Sequence, residues 1–148
     1  MTSAPLHILL IDGDPAHARH LAEGIKQTGI PAQVRWASDG VEALSYLSAR
    51  DPSPRGTPSA YPSLVLLDLR LPNTSGMEIL GWMGQRPELR KVPVVVLSPS
   101  RETLDIPRAY ELGAHTYLVK PVPVDELAPL LKSVAAYWSN LQNPPFQA

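Results

Sequence analysis

Four short apolar runs, LHILLI (6–11), SLVLLD (63–68), VPVVVLS (92–98) and HTYLV (115–119), alternate with stretches whose apolar residues recur at helical spacing. Near-continuous hydrophobicity over so few residues is the pattern of parallel strands covered on both faces. A fifth run, QVRWAS (33–38), alternates apolar with polar and predicts a strand nearer a sheet edge. The first helical stretch has defined ends: Asp14 can cap it, Pro15 suits its first turn, Ala18, Leu21, Ala22 and Ile25 form one stripe, and Gly29 stops it. Further helices are predicted from about Val41 to Leu47, after Gly76, from about Arg101 to Leu112 and from about Asp125 to Trp138. The βαβα alternation predicts an α/β domain, an open, doubly wound parallel sheet with five strands and five helices.

With 148 residues the chain suits one such domain and is short for two. Residues 50–63, RDPSPRGTPSAYPS, hold four of its 17 prolines and read as a long surface loop. A net charge of -1 without any Lys/Arg block argues against nucleic acid or an anionic membrane as partner. There are no cysteines, so thiolate zinc sites, disulfides and thiol nucleophiles are excluded. The N-terminus lacks a signal-peptide pattern, and no apolar run approaches the roughly 20 residues that span a bilayer, so a cytoplasmic protein is expected.

In open α/β sheets the ligand site lies beyond the carboxyl ends of the strands. The predicted strand ends carry Asp12, Asp68, Ser98 and Lys120, with Asp14 just behind. Carboxylates that share a site repel one another, and their hard oxygens suit Mg²⁺. A carboxylate can also attack phosphorus and become an aspartyl-phosphate, while an amine and a hydroxyl hold the oxygens of the transferred group. Asp68 is the candidate acceptor, with Lys120 and Ser98 as its partners. His7, His17, His20 and His115 show no spacing that builds a metal site, and all four read as structural.

The segments HILLIDGDP, LVLLDLRLPNTSGMEIL, VPVVVLSPS and GAHTYLVKPV together resemble the receiver domain of two-component response regulators. VVVLSPSRETLDIPRAYELGAHTYLVKPV and the ending YWSNLQNPP are similar, more narrowly, to the single-domain regulators that accompany bacterial phytochrome histidine kinases. The resemblance implies a flavodoxin-like sheet of order 2-1-3-4-5 and phosphorylation of Asp68 by a histidine kinase. It implies that Mg²⁺ is held by Asp12, Asp68 and the backbone carbonyl of Arg70. Ser98 and Tyr117 would be the switch residues, Lys120 would contact a phosphoryl oxygen, and the Lys120–Pro121 peptide would be cis. Such a protein is a phosphoacceptor, not an enzyme with a substrate of its own.

The chain departs from this pattern at Gly13, where receivers carry a second acid that binds the metal. Either Asp14 swings in or water takes the place, and because Asp14 has a use as helix cap the expectation is water and weak Mg²⁺ binding. Two other readings stand beside the receiver. DGDP resembles the Asp-x-Asp of haloacid dehalogenase-type phosphatases, which would place the nucleophile at Asp12, and a pseudo-receiver would bind partners without being phosphorylated. The domain is expected to span 1–138. The extension 139–148 continues the apolar character of Trp138 through Leu141, Pro144, Pro145 and Phe146, and is expected to cover a second copy in a homodimer.

Overall fold

A computed structural model of the chain describes residues 5–48, 61–99 and 105–142. Its elements alternate strictly: β1 (Leu6–Ile11), α1 (Pro15–Gln27), β2 (Ala32–Ala37), α2 (Gly40–Ser48), β3 (Leu64–Asp68), α3 (Gly76–Gly84), β4 (Val94–Ser98), α4 (Asp105–Glu111), β5 (Thr116–Val119) and α5 (Val124–Gln142). The strands form one sheet of order β2-β1-β3-β4-β5, all neighbours parallel. Ile11 pairs with Leu67 and Asp68 with Leu97, so β1, β3 and β4 end close to level with one another.

Period two along each strand divides the core into two layers. Ile8, Leu10, Leu64 and Leu66 pack with Ala18, Leu21 and Ile25 of α1 and with Leu127, Leu131 and Val134 of α5. Leu9, Ile11, Val65 and Leu67 pack on the other face with Ala43 and Leu47 of α2 and Ile79, Leu80 and Met83 of α3. Covered on both faces, β3 and β4 are buried at every residue, which accounts for their unbroken apolar sequence. Edge strand β2 shows the mixed burial that its alternating sequence predicts.

The helix ends follow the predicted chemistry. Asp14 caps α1 by accepting from the Ala16 N–H, Pro15 occupies the first turn, and Gly29 takes a φ of 76° after the helix stops. Ser75 caps α3 in the same way through the Met77 N–H. The last helix is longer than its sequence suggests, continuing to Gln142. Trp138, at the start of the apolar tail, is anchored within the chain: its indole N–H donates to the Ser63 carbonyl at 2.7 Å and its partly buried ring packs on the α1/α5 layer. The 50–60 part of the proline-rich loop, residues 101–104 of the predicted fourth helix and Pro144, Pro145 and Phe146 lie outside the described residues.

Candidate functional site: an acidic pair bridged by lysine

Asp12 follows β1 in phase with Ile8 and Leu10, and Asp68 closes β3 in phase with Leu64 and Leu66. Both carboxylates therefore leave the sheet toward the layer that holds α1. Neither is a surface acid, since Asp12 is 0% and Asp68 5% exposed. Two carboxylates cannot share a buried rim without a cation, and β5 supplies one. The Lys120 ammonium lies 2.5 Å from Asp68 Oδ2 and 3.4 Å from Asp12 Oδ2. The peptide that follows, Lys120–Pro121, is cis.

The remaining carboxylate oxygens also carry N–H donors. Asp12 Oδ1 accepts from the Asp14 N–H at 2.9 Å, and Asp68 Oδ1 accepts from the Arg70 N–H at 2.9 Å. Asp12 Oδ2 is also hydrogen-bonded to Nδ1 of His17. Burial alone would raise the Asp12 pKa. The His17 hydrogen bond, the Asp14 N–H and the Lys120 charge outweigh it, so Asp12 sits below the usual aspartate range and is ionised at neutral pH.

Of the other residues singled out by sequence, Ser98 ends β4 beside Leu97, the register partner of Asp68, and is 1% exposed. Tyr117 pairs in register with Val96 and packs partly buried on the α2/α3 layer, its ring edge-on to Tyr110 at 6.5 Å. The Asp14 side chain is engaged at the helix cap, so Asp12 and Asp68 form the acidic pair without it. The Arg70 N–H bonds Asp68, leaving its carbonyl as a further oxygen donor of the β3–α3 loop. His115 accepts from the Val94 N–H and His20 meets the Val122 carbonyl, while His7 bonds Ser63 Oγ through its backbone N–H.

His17 is the exception to the structural reading of the histidines. Four residues before Leu21, it lies on the buried stripe of α1, and the first helical turn brings that stripe back over the end of β1. This i, i+4 relation to Leu21 was the available signal, obscured by the i, i+3 pairing with His20, whose ring stacks on it with centroids 6.1 Å apart. Trp36, also missed, donates its indole N–H to the Asp12 carbonyl at 2.8 Å.

A response regulator receiver domain model matches residues 8–132. The chain belongs to the response regulator receiver family. It is 34% identical over 141 residues, 95% of this chain and 88% of the relative, to a probable methanogenesis regulatory protein, FilR2, of Methanothrix harundinacea. It is 32% identical over 140 residues to the response regulator Rcp1 of Synechocystis, covering 93% of this chain and 91% of Rcp1. The crystal structure of Mn²⁺-bound Rcp1 superposes with a TM-score of 0.69 over 97% of this chain and 100% of the other, at 30% identity. The phosphorylated cyanobacterial phytochrome response regulator RcpA does so with a TM-score of 0.72, again over 97% and 100%, at 31% identity. Membership of this family fits a phosphoacceptor role in two-component signalling and does not favour the dehalogenase-type or pseudo-receiver alternatives.

The donor chemistry fits the Mg²⁺ that receivers bind, since two ionisable carboxylates and a backbone carbonyl are hard oxygen ligands and Mg²⁺ keeps several waters. It fits sparsely. Among the described residues no three His, Asp or Glu side chains converge in a way that could hold a metal.

Proposed function

We propose that this receiver takes a phosphoryl group onto Asp68 from a sensor histidine kinase of the phytochrome class and signals through a protein interface. The observation that carries the reading is the Lys120 ammonium set between two buried carboxylates at the ends of β1 and β3. A structural ion pair needs one acid, whereas phosphoryl transfer needs a nucleophilic carboxylate with a cation beside the incoming oxygens. An Asp68 carboxylate oxygen attacks phosphorus and forms the O–P bond. The bond from phosphorus to the kinase imidazole breaks, and its electron pair returns to that nitrogen. Lys120 then pairs with a phosphoryl oxygen; Mg²⁺, which Asp12, Asp68 and the Arg70 carbonyl would hold, would supply further charge neutralisation.

The added charge, about -1.5 to -2, arrives as three acceptor oxygens. Ser98 is the hydroxyl that answers it, and Tyr117 follows on the adjacent strand, which carries the change to the α4/β5/α5 face. Tyr110 and Tyr137 are 44% and 40% exposed on the helices of that face, and we read it, with the 139–148 extension, as the surface of a homodimer. The likeness to RcpA supports the phytochrome assignment, the net charge of -1 supports a partner that is neither nucleic acid nor membrane, and the lack of cysteine supports the reducing cytoplasm.

Incubation with acetyl phosphate and Mg²⁺ followed by intact-mass measurement is expected to add one phosphoryl group to the wild type and none to Asp68→Asn. Labelling that survives in Asp68→Asn and is lost in Asp12→Asn would overturn the assignment.

Mg²⁺ binding is weak in this reading because Gly13 contributes no carboxylate. Restoring an acid is hindered locally: a Cβ at Gly13 would lie 2.9 Å from Cδ of Pro72, a ring atom with little freedom to move. Calorimetric titration is therefore expected to show about tenfold tighter Mg²⁺ binding in the Gly13→Asp, Pro72→Ala double variant than in Pro72→Ala alone. Equal affinities in the two would remove Gly13 as the cause.

A further inference from the structure

His17 is unassigned by the phosphoacceptor reading, yet it touches the acidic pair directly. Its side chain is 9% exposed, and its Nδ1 is hydrogen-bonded to Asp12 Oδ2, the oxygen that also faces Lys120. Its Nε2 is buried and has no hydrogen-bond partner. Asp12 Oδ1 accepts from the Asp14 N–H and Oδ2 faces the Lys120 ammonium, a group that can only donate, so this carboxylate accepts on both oxygens and the bridging proton belongs to Nδ1.

This tautomer decides what the ring can do toward a metal. To ligate through Nδ1, the imidazole would have to give up its Nδ1 proton and carry one on Nε2, in surroundings that offer no acceptor. His17 is thus a poor substitute for the acid missing at Gly13. It is instead a donor that occupies the oxygen a metal would need. Of the four carboxylate oxygens in the pair, two are held by backbone N–H groups of their own loops, at Asp14 and Arg70. Asp68 Oδ2 is held by Lys120, and Asp12 Oδ2 by His17, with Lys120 at the longer distance.

The buried Nε2 makes this hold reversible. While the ring is docked, one nitrogen is satisfied and the other is buried without a protein partner; when the ring swings out, Nε2 reaches solvent and offsets part of the lost hydrogen bond. A side chain that is half satisfied in one position and fully solvated in the other is suited to displacement.

We propose that His17 is a built-in competitor for the receiver's divalent cation, a side-chain latch that closes Asp12 in the metal-free protein and must swing away before the metal binds. The proposal rests on the receiver reading of the acidic pair. His17 is on this account a positioning residue that sets the metal threshold for phosphorylation, and it adds to the weakness expected from Gly13.

The test is calorimetric titration of Mg²⁺, and separately of Mn²⁺, into wild type, His17→Ala and His17→Gln, without phosphodonor. His17→Ala is expected to bind both ions about tenfold more tightly, the equivalent of one hydrogen bond to a charged acceptor. His17→Gln, which keeps a side-chain N–H, should return toward the wild-type value. Unchanged affinity in His17→Ala overturns the latch. Weaker affinity, with a larger loss for Mn²⁺ than for Mg²⁺, overturns it in favour of a nitrogen ligand. A wild type and variants that all fail to bind either ion would overturn the receiver reading of the pair along with the latch, whereas Asp68 labelling with an unchanged His17→Ala affinity would sink the latch alone. On the unaltered protein, NMR offers a second readout: the His17 Nδ1 proton should be protected from exchange without metal and exchange with water at Mg²⁺ saturation, and protection that persists at saturation overturns the proposal.

Discussion

Replacement of Lys120 by methionine is expected to slow labelling of Asp68 by acetyl phosphate about 100-fold at saturating Mg²⁺, the loss typical of a preorganised donor to a charged transition state. Methionine keeps much of the lysine's length and removes the charge, so the packing around β5 is largely retained. What changes is the company of the acids. Lys120 is the cation 2.5 Å from Asp68 and 3.4 Å from Asp12, and the two carboxyl groups are 7% and 0% exposed.

With the ammonium gone, Asp12 loses one of the charges that hold its pKa below the usual aspartate range. The rate therefore falls for two reasons that can be separated. The lost contact to the phosphoryl oxygens lowers the plateau rate at every pH, while Asp12, held less firmly in its ionised form, moves the acid limb of the profile to higher pH. Quenched-flow labelling followed by mass spectrometry across that limb measures both. A wild-type rate in Lys120→Met would mean that the amine serves only to neutralise the apo site.

The second large effect concerns stability. Gly76 opens α3 where the loop from β3 turns back on itself, its N–H donating to the Leu69 carbonyl at 3.1 Å. A Cβ there would stand 2.6 Å from the Asp68 carbonyl oxygen and 2.7 Å from Leu69 Cα, both backbone atoms of the acceptor strand and its exit. Backbone cannot move aside as a long side chain can, so Gly76→Ala must displace either the strand end or the helix. Overpacking of this kind costs about 3 kcal/mol, which for a chain of this size lowers the melting temperature by about 10 °C. Thermal unfolding with and without Mg²⁺ checks it. The metal should recover little of the loss, because the displaced carbonyl belongs to Asp68 itself, and a melting temperature within a degree or two of wild type would show that the loop yields more easily than its contacts imply.

Much of the architecture was legible because each strand and helix is dictated by local pattern. Continuous apolar runs mark β3 and β4, which are buried on both faces, and the mixed run marks the edge strand β2. Asp14, Pro15 and Gly29 mark the ends of α1 through chemistry contained within a few residues. The length of α5 was less legible. The helix continues past Trp138 because that residue is anchored by a carbonyl 75 positions away, on the segment entering β3. The place of His17 was not legible for a related reason. Its spacing to His20 is visible along the chain, but its approach to Asp12 depends on the angle at which α1 leaves the sheet.

The sequence alone determined which residues form strands, that the sheet is parallel and covered on both faces, and that acids, a hydroxyl and an amine stand at strand ends, because these follow from periodicity and from the geometry of one strand or helix. Only the tertiary structure decided that Lys120 bridges Asp12 and Asp68 and that His17 closes over Asp12. The physical reason is reach. Side-chain chemistry at a site depends on separations of a few ångströms between residues that are far apart in the chain, and those separations arise when both faces of the sheet are packed at once.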